Sequence, residues 1–419
     1  MSGNTAVIVA ISVVIGILVV SAVVVTCVVL LMDDNQESRQ SFSSSSSFPQ
    51  SSSVLSHSSS SISSSSSSLG ISSSSSVFKL GIPKFDFYQP WLSSYWDKNA
   101  FVGHLQKLKA EGFVGIIMQQ TADVQKTYVT SYYGESSYLK SLSTSGGLSY
   151  TAYPELSILV DAAIQVGFDV WIGIANDYRW WEVSPLTKTL MDDFAAQDNT
   201  IITEAMSSLS EEQRKRIKGI YLTYEFYDCP LNKGHSEIYA ELVSKTISYM
   251  EGEGSLVKGL PLIISPFHSD YYATYEGLTF DIEYQLWKEF FEKAGFREGD
   301  MVLSQDFGGA YWGPQPNSTH AKLIYSHLDA THRAAVDAHS KATIGSNIEI
   351  YCDSSKCTNT NVASVERVKE QLEVATEIFC SGKPNTNCDI ISFSFSHYSV
   401  SNETFDREYR EFLNNTNHY

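Results

Sequence analysis

Short apolar runs alternate with amphipathic stretches from about residue 85 to the end of the chain. Eight runs have the length and composition of buried strands: Phe85–Tyr88, Val114–Gln119, Asp169–Ala175, Gly219–Tyr224, Leu262–Ser265, Met301–Gln305, Thr343–Ile350 and Ile390–Phe395. The segments between them carry apolar residues three and four apart, the spacing of one helix face. Phe101 to Lys109 leads to Gly112, and Glu155 to Ile164 leads to Gly167, each glycine marking a helix stop. Thr319 to His339 and Val362 to Phe379 predict longer helices. Strand and helix in repetition predict a parallel sheet, and eight such units predict an α/β fold of the (β/α)8 TIM barrel type over residues 77–419. No glycine-rich dinucleotide fingerprint follows the first strand, which turns the reading away from a Rossmann sheet.

Strand parity refines this picture, because alternate residues face opposite sides. In the fourth run, Ile220 and Leu222 share one face, and Tyr221, Thr223 and Glu225 the other. In the seventh, Ile344, Ile348 and Ile350 oppose Thr343, Gly345, Asn347 and Glu349. In the eighth, Ile391, Phe393 and Phe395 oppose Ser392, Ser394 and Ser396. The apolar faces are expected to pack on the helices and the polar faces to line the barrel. This places Glu225 and Glu349 inward at the C-terminal ends of strands four and seven, where barrel enzymes keep their chemistry.

The N-terminal part reads differently. Residues 1–5 form a short tail. Ala6 to Met32 contains no charged residue and as a helix would span about 40 Å, enough to cross a bilayer with tilt. It is too long for the apolar core of a cleaved signal and lacks preceding basic residues, so the expectation is a single-pass membrane anchor, with a cleaved signal the alternative. Residues 33–76 are dominated by serine, have no apolar periodicity and predict a disordered stalk, of the kind that suits O-glycosylation outside the cell.

The net charge of −18 argues against nucleic acid, whose phosphates are bound by Lys and Arg, and favours a neutral or polar ligand. Cys352 with Cys357 and Cys380 with Cys388 are spaced for short disulfide loops, with Cys229 left over; a Cys229–Cys352 bridge is the alternative. Acceptor tripeptides for N-glycosylation begin at Asn317, Asn402 and Asn414. Anchor, stalk, paired cysteines and acceptor sites together place the folded domain in the extracellular or luminal space.

Two carboxylates facing one another across a barrel mouth are the apparatus of glycoside hydrolysis, with Glu225 the general acid/base and Glu349 the nucleophile. The alternative for each is a structural salt bridge. Aromatic residues cluster after the strands: Trp91, Trp180, Trp181, Tyr227, Tyr271, Tyr272, Tyr311, Trp312 and Tyr351. Their rings offer apolar faces and polar edges that suit a sugar, although each alone is compatible with loop packing. Polar rim residues are Gln119, Gln120, Asn176, Asp177, His268, Gln305, Asp306 and His397, with Asn347 inward on strand seven. From these sets, Trp91, Gln120, Asp177, Trp181, His268, Gln305, Asp306, Trp312, Asn347 and Tyr351 are the candidate substrate-binding residues. Asp306 could bind a hydroxyl, tune a neighbouring Glu or cap a turn. No His, Asp or Glu cluster has metal-ligand spacing, and no nucleophile elbow follows a strand, so no cofactor is expected.

Gly219 to Glu225, Ile263 to Phe267, Leu303 to Gly309, Asn347 to Tyr351, and Gly167 to Ile174 followed by Trp180-Trp181 resemble the blocks of domain-of-unknown-function family 4434, a family inferred to be TIM-barrel glycosyl hydrolases. The resemblance covers most of Phe85 to Phe395 and implies a (β/α)8 fold and a glycan or polysaccharide substrate. The larger clan of barrel glycosidases with glutamates on strands four and seven has Asn before the acid/base Glu; here Tyr224 stands there. The expectation is a membrane-anchored glycoside hydrolase, retaining in mechanism. The alternative is a non-catalytic glycan-binding surface protein on a degenerate barrel.

Overall fold

The computed structural model describes residues 79–93, 96–183, 186–226, 235–267, 280–311, 313–352, 361–399 and 402–418. The Ala6–Met32 segment, the serine tract, Tyr227, Cys229, His268, Tyr271, Tyr272, Trp312 and Cys357 lie outside these residues. Among the described residues, no helix is long and apolar enough to cross a membrane.

In chain order the strands are β1 (Phe85–Tyr88), β2 (Gly115–Met118), β3 (Ala122–Val124), β4 (Tyr128–Ser131), β5 (Ser149–Ala152), β6 (Asp169–Gly173), β7 (Ala175–Asp177), β8 (Ile217–Leu222), β9 (Leu262–Ile264), β10 (Met301–Gln305), β11 (Thr343–Glu349) and β12 (Thr386–Phe393). The helices are α1 (Lys98–Ala110), α2 (Ser137–Gly146), α3 (Glu155–Val166), α4 (Arg179–Glu182), α5 (Lys188–Ser208), α6 (Glu211–Arg216), α7 (His235–Met250), α8 (Phe280–Ala294), α9 (Gly308–Tyr311), α10 (Ser318–Asp337), α11 (Val365–Phe379), α12 (Phe395–Tyr398) and α13 (Glu403–Asn415).

Eight parallel strands close into a barrel in the order β1-β12-β11-β10-β9-β8-β6-β2. The eight predicted strands are these eight staves, with boundaries shifted by a few residues. The predicted third strand divides: Asp169–Gly173 stays in the barrel, and Ala175 starts β7 in a second sheet of order β5-β4-β3-β7. That second sheet was not anticipated. Its strands are three or four residues long, too short for periodicity to separate them from loop.

Two apolar layers hold the barrel together. Ile220, Leu222, Ile344, Ile348 and Ile350 face outward and are buried with residues of the surrounding helices. Burial of each such side chain stabilises the fold by about 1.5–3 kcal/mol. Inside the barrel, Phe87, Ile117, Trp171, Tyr221, Ile263, Leu303 and Ile391 form a separate plug. Gly219 makes room for it: a Cβ there would fall 1.8 Å from the Trp171 ring. The expected inward placement of Tyr221 agrees with this plug.

The eighth strand corrects the parity argument. Ile391 and Phe393 belong to the interior plug, and Ser392 faces outward, where its hydroxyl donates to Asp86 at 2.5 Å. An apolar face does not say which apolar layer it joins, because the lower interior of a barrel is also apolar. Phe395 does pack in the outer layer, on α12 beyond the strand. Asp86 also accepts from the Phe395 and Ser396 N–H groups at 2.8 and 2.6 Å, tying β1 to the turn after β12.

Cys380 and Cys388 form the expected disulfide. Cys352 is also disulfide-bonded. Asn317 and Asn414 are exposed; Asn402 is half-buried, and its side chain caps α13 through the Phe405 N–H at 3.1 Å.

Candidate active site

The plug ends below the C-terminal mouth, and polar side chains replace it there. Gln305 and Asn347 are register partners on β10 and β11. Asn347 Nδ2 donates to Ser265 Oγ at 3.0 Å, and Gln305 Nε2 donates to the Ser265 carbonyl at 2.8 Å. Asn347 is buried, two residues before Glu349 on the same face of β11.

Glu349 is only 4% exposed and is held at three points. Its Oε2 accepts from the Gly309 N–H at 2.8 Å. Its own N–H donates to Asp306 Oδ1 at 3.0 Å. Its carbonyl accepts from Arg367 at 2.8 Å and Gln371 at 3.1 Å, both on α11. Burial pushes the Glu349 carboxyl up to about 8, helped by the Asp306 and Glu225 charges and opposed by the Gly309 N–H and Arg367.

Glu225 lies three residues past the end of β8. The backbone there is clamped from the helix side: the Tyr239 hydroxyl donates to the Tyr224 carbonyl at 2.6 Å, and the Trp180 indole donates to the Glu225 carbonyl at 3.1 Å. Burial pushes the Glu225 carboxyl up to about 7, opposed by a hydrogen bond from Gln305. Tyr224 is buried outward, against the Phe194 and Trp180 rings, with its hydroxyl on Asp198 at 3.3 Å. No ion pair within 4.0 Å involves Glu225 or Glu349 among the described residues.

The other predicted residues divide into two groups. Gln305 and Asn347 share the polar layer with the glutamates. Tyr351 continues the inward face of β11, edge-on to Phe393 at 5.9 Å and stacked on Tyr398 at 5.5 Å. Asp306 is a brace: its carboxylate accepts from Gly308 N–H, Glu349 N–H and Gln371 Nε2, and it is 1% exposed. Burial lifts it to about 6 against those bonds. Asp177 is fully buried on the helix side, paired with Arg179 at 2.7 Å and accepting from Gln197 of α5 at 2.9 Å. Its neighbour Asn176 therefore faces the mouth. Gln120 is buried and donates to Asp123. Trp91 and Trp181 are half-buried and lean on the outer apolar layer.

Several contributors escaped the sequence reading. Arg367 and Gln371 lie on a helix far along the chain, and nothing local distinguishes them from surface residues. Tyr398 sits near enough to Glu349 for that charge to help burial push its phenol to about 12. Asp123, next to Asn176 in register, lies in a segment for which the sequence pattern predicts no strand or helix. His397, one of the predicted rim residues, accepts from the Gln89 N–H at 2.7 Å, and burial lowers it to about 3, so the ring is neutral. Among the described residues, no three His, Cys, Asp or Glu side chains gather in a group that could hold a metal.

The fold and mouth define a (β/α)8 barrel with a glutamate at the C-terminal end of each of staves four and seven. The sequence matches the family described as Domain of unknown function (DUF4434) over residues 85–404, and the chain belongs to that family. No curated protein is significantly similar to it. Among solved structures, a candidate alpha-L-fucosidase from Bacteroides thetaiotaomicron VPI-5482 superposes with a TM-score of 0.58 at 17% identity, covering 80% of this chain and 96% of that one. A glycoside hydrolase family 5 enzyme from Prevotella bryantii B14, PbGH5A, gives a TM-score of 0.45 at 9% identity, covering 75% and 86%. At such identities the first likeness speaks for the fold.

Proposed function

We propose that the protein is a glycoside hydrolase acting on a glycan or polysaccharide. Glu225 protonates the glycosidic oxygen as the bond breaks, and Glu349 attacks the anomeric carbon to form a glycosyl ester that water then hydrolyses, Glu225 now taking the water's proton. The observation that carries this reading is the pair itself. Both carboxyls are held at strand ends over one mouth, with no ion pair on either among the described residues, and burial moves both into the neutral range where a proton can be given and taken. A single proton shared by such a pair gives one acid and one nucleophile. On Glu349 the Gly309 N–H and Arg367 favour the ionised form, against burial and the Asp306 charge, which leave it higher than Glu225.

The retaining course, the anchoring of the domain through Ala6–Met32 on a serine stalk, and its extracellular or luminal placement belong to the same proposal. The test is turnover of aryl glycosides and glycans by the purified full chain beside Glu225→Gln and Glu349→Gln. Activity lost in both variants supports the reading. Glycan binding without turnover in the parent chain replaces it with that of a binding protein.

A further inference from the structure

Two glutamine amides stand on the part of the mouth wall that the two glutamates leave free. Phe87 and Ile117 belong to the interior plug, and Phe85 packs against it. Parity therefore turns Gln89, two residues past Phe87, and Gln119, two residues past Ile117, into the mouth. The Phe87 ring centroid lies 4.9 Å from that of Tyr221, on the stave that leads to Glu225. It lies 5.8 Å from that of Phe393, the register partner of Glu349. Gln89 thus rises from the same floor as both glutamates, with Gln119 beside it on the neighbouring stave.

The backbone under these amides is fixed. The Gln89 N–H donates to His397 Nε2 at 2.7 Å, and the Gln119 N–H donates to the Tyr88 carbonyl at 2.8 Å. The side chains are joined as well, Gln89 Nε2 donating to Gln119 Oε1 at 2.9 Å. An amide offers one carbonyl acceptor and two N–H donors. The bond between them therefore leaves the Gln89 carbonyl and the Gln119 amide nitrogen with no protein partner among the described residues. Both residues are half-buried, and neither open end is sealed from solvent. Gln305 and Asn347, by contrast, are engaged with Ser265.

We infer, resting on the glycosidase reading above, that Gln89 and Gln119 bind hydroxyls of the sugar unit whose bond is cleaved and select a neutral pyranoside for that position. A hydroxyl both donates and accepts, so one hydroxyl, or two neighbours on one ring, satisfies the open acceptor and the open donor together. Joined to each other and held at their backbones, the two amides present a fixed pattern and lose little freedom on binding. A ring lacking the matching hydroxyl leaves them unpaired and is rejected. A uronate carboxylate would meet no opposite charge at these amides and would face Glu225 and Glu349 across the opening, so its desolvation would go uncompensated.

The experiment uses the full chain beside Gln89→Met and Gln119→Met, which keep side-chain length, with thermal melts to check the fold. Probes are the 4-nitrophenyl α- and β-glycosides of glucose, galactose, mannose, xylose, fucose and glucuronic acid, followed by the single-deoxy forms of the best substrate. Binding of the free sugars is followed by saturation-transfer NMR. The expected result is that a neutral glycoside outruns the glucuronide and that one deoxy form loses roughly tenfold or more in kcat/KM with the parent chain. That loss should shrink below about threefold in at least one variant, the sign that amide and hydroxyl act on each other. A deoxy penalty that is absent or equal in all three chains, or a glucuronide as best substrate, overturns the inference and leaves the hydrolase standing. Sugar binding that weakens in the variants, with no turnover of glycosides or glycans, sustains the amide site and removes the hydrolase. Neither glycoside turnover nor sugar binding overturns the inference, and glycan turnover by the same chain then decides the hydrolase separately.

Discussion

The Gly309 N–H donates to Glu349 Oε2 at 2.8 Å, and the Tyr351 ring lies where a side chain on Gly309 would be, 2.2 Å from an ideal Cβ. Gly309 therefore serves as both donor and spacer. Hydrogen bonding to a carboxylate favours its ionised form, the form that the proposed nucleophile role of Glu349 requires. Gly309→Ala should displace Tyr351 or the donor, lowering kcat by about 10- to 100-fold, with cooperative unfolding preserved. Steady-state kinetics and a thermal melt check it; wild-type turnover would show that the contact is dispensable.

Glu349→Gln should reduce turnover by ~10³-fold or more on every substrate, because no other group replaces a covalent nucleophile. Glu225→Gln should be equally severe for glycans and milder for activated aryl glycosides, whose leaving groups need little protonation. A uniform loss across leaving groups would remove Glu225 from the acid role.

The pH profile of kcat/KM should be a narrow bell in the neutral to mildly alkaline range, since the pair titrates near 7 and 8. Asp306→Asn removes a negative charge that raises Glu349. Glu349, the higher of the two, should then ionise at lower pH, moving the alkaline limb down by about one unit. An unmoved or upward-shifted limb would contradict the assignment of that limb to Glu349.

Stability should fall as pH rises from about 5 to 9. Burial and Asp406 push Glu111 up to about 9, and burial pushes Glu155 to about 7. Between the unfolded and folded values the native state holds the extra protons, so raising the pH favours unfolding. Glu111→Gln should keep the neutral shape and flatten this dependence, raising stability at pH 8 by more than about 1 kcal/mol and changing little at pH 5. Chemical denaturation at the two pH values measures the difference; equal effects at both would mean Glu111 is not the titrating group.

Much of the barrel is a local property of the chain. A stave needs a short apolar run, and a helix needs a stop such as Gly167, which takes φ +85° as anticipated. Both are written in adjacent residues, so the eight staves and the positions of Glu225 and Glu349 at their ends were legible. Parity also worked where one face is polar, as in β11. It failed in β12, where Ile390 and Ile391 enter different apolar layers.

What the linear pattern could not supply is how distant segments meet. Arg367 and Gln371 are ordinary helix residues until α11 lays them behind the Glu349 carbonyl. Asp177 and Asn176 are adjacent polar residues, and only the crossing of α5 with Gln197 decides that the carboxylate turns away and the amide faces the mouth. The sequence alone thus determined the repeat of strand and helix and the carboxylates that end two staves, because those depend on neighbours along the chain. Tertiary structure decided the braces, the raised carboxyl protonation and the second sheet over the mouth, because burial and hydrogen-bond partners come from residues tens to hundreds of positions away.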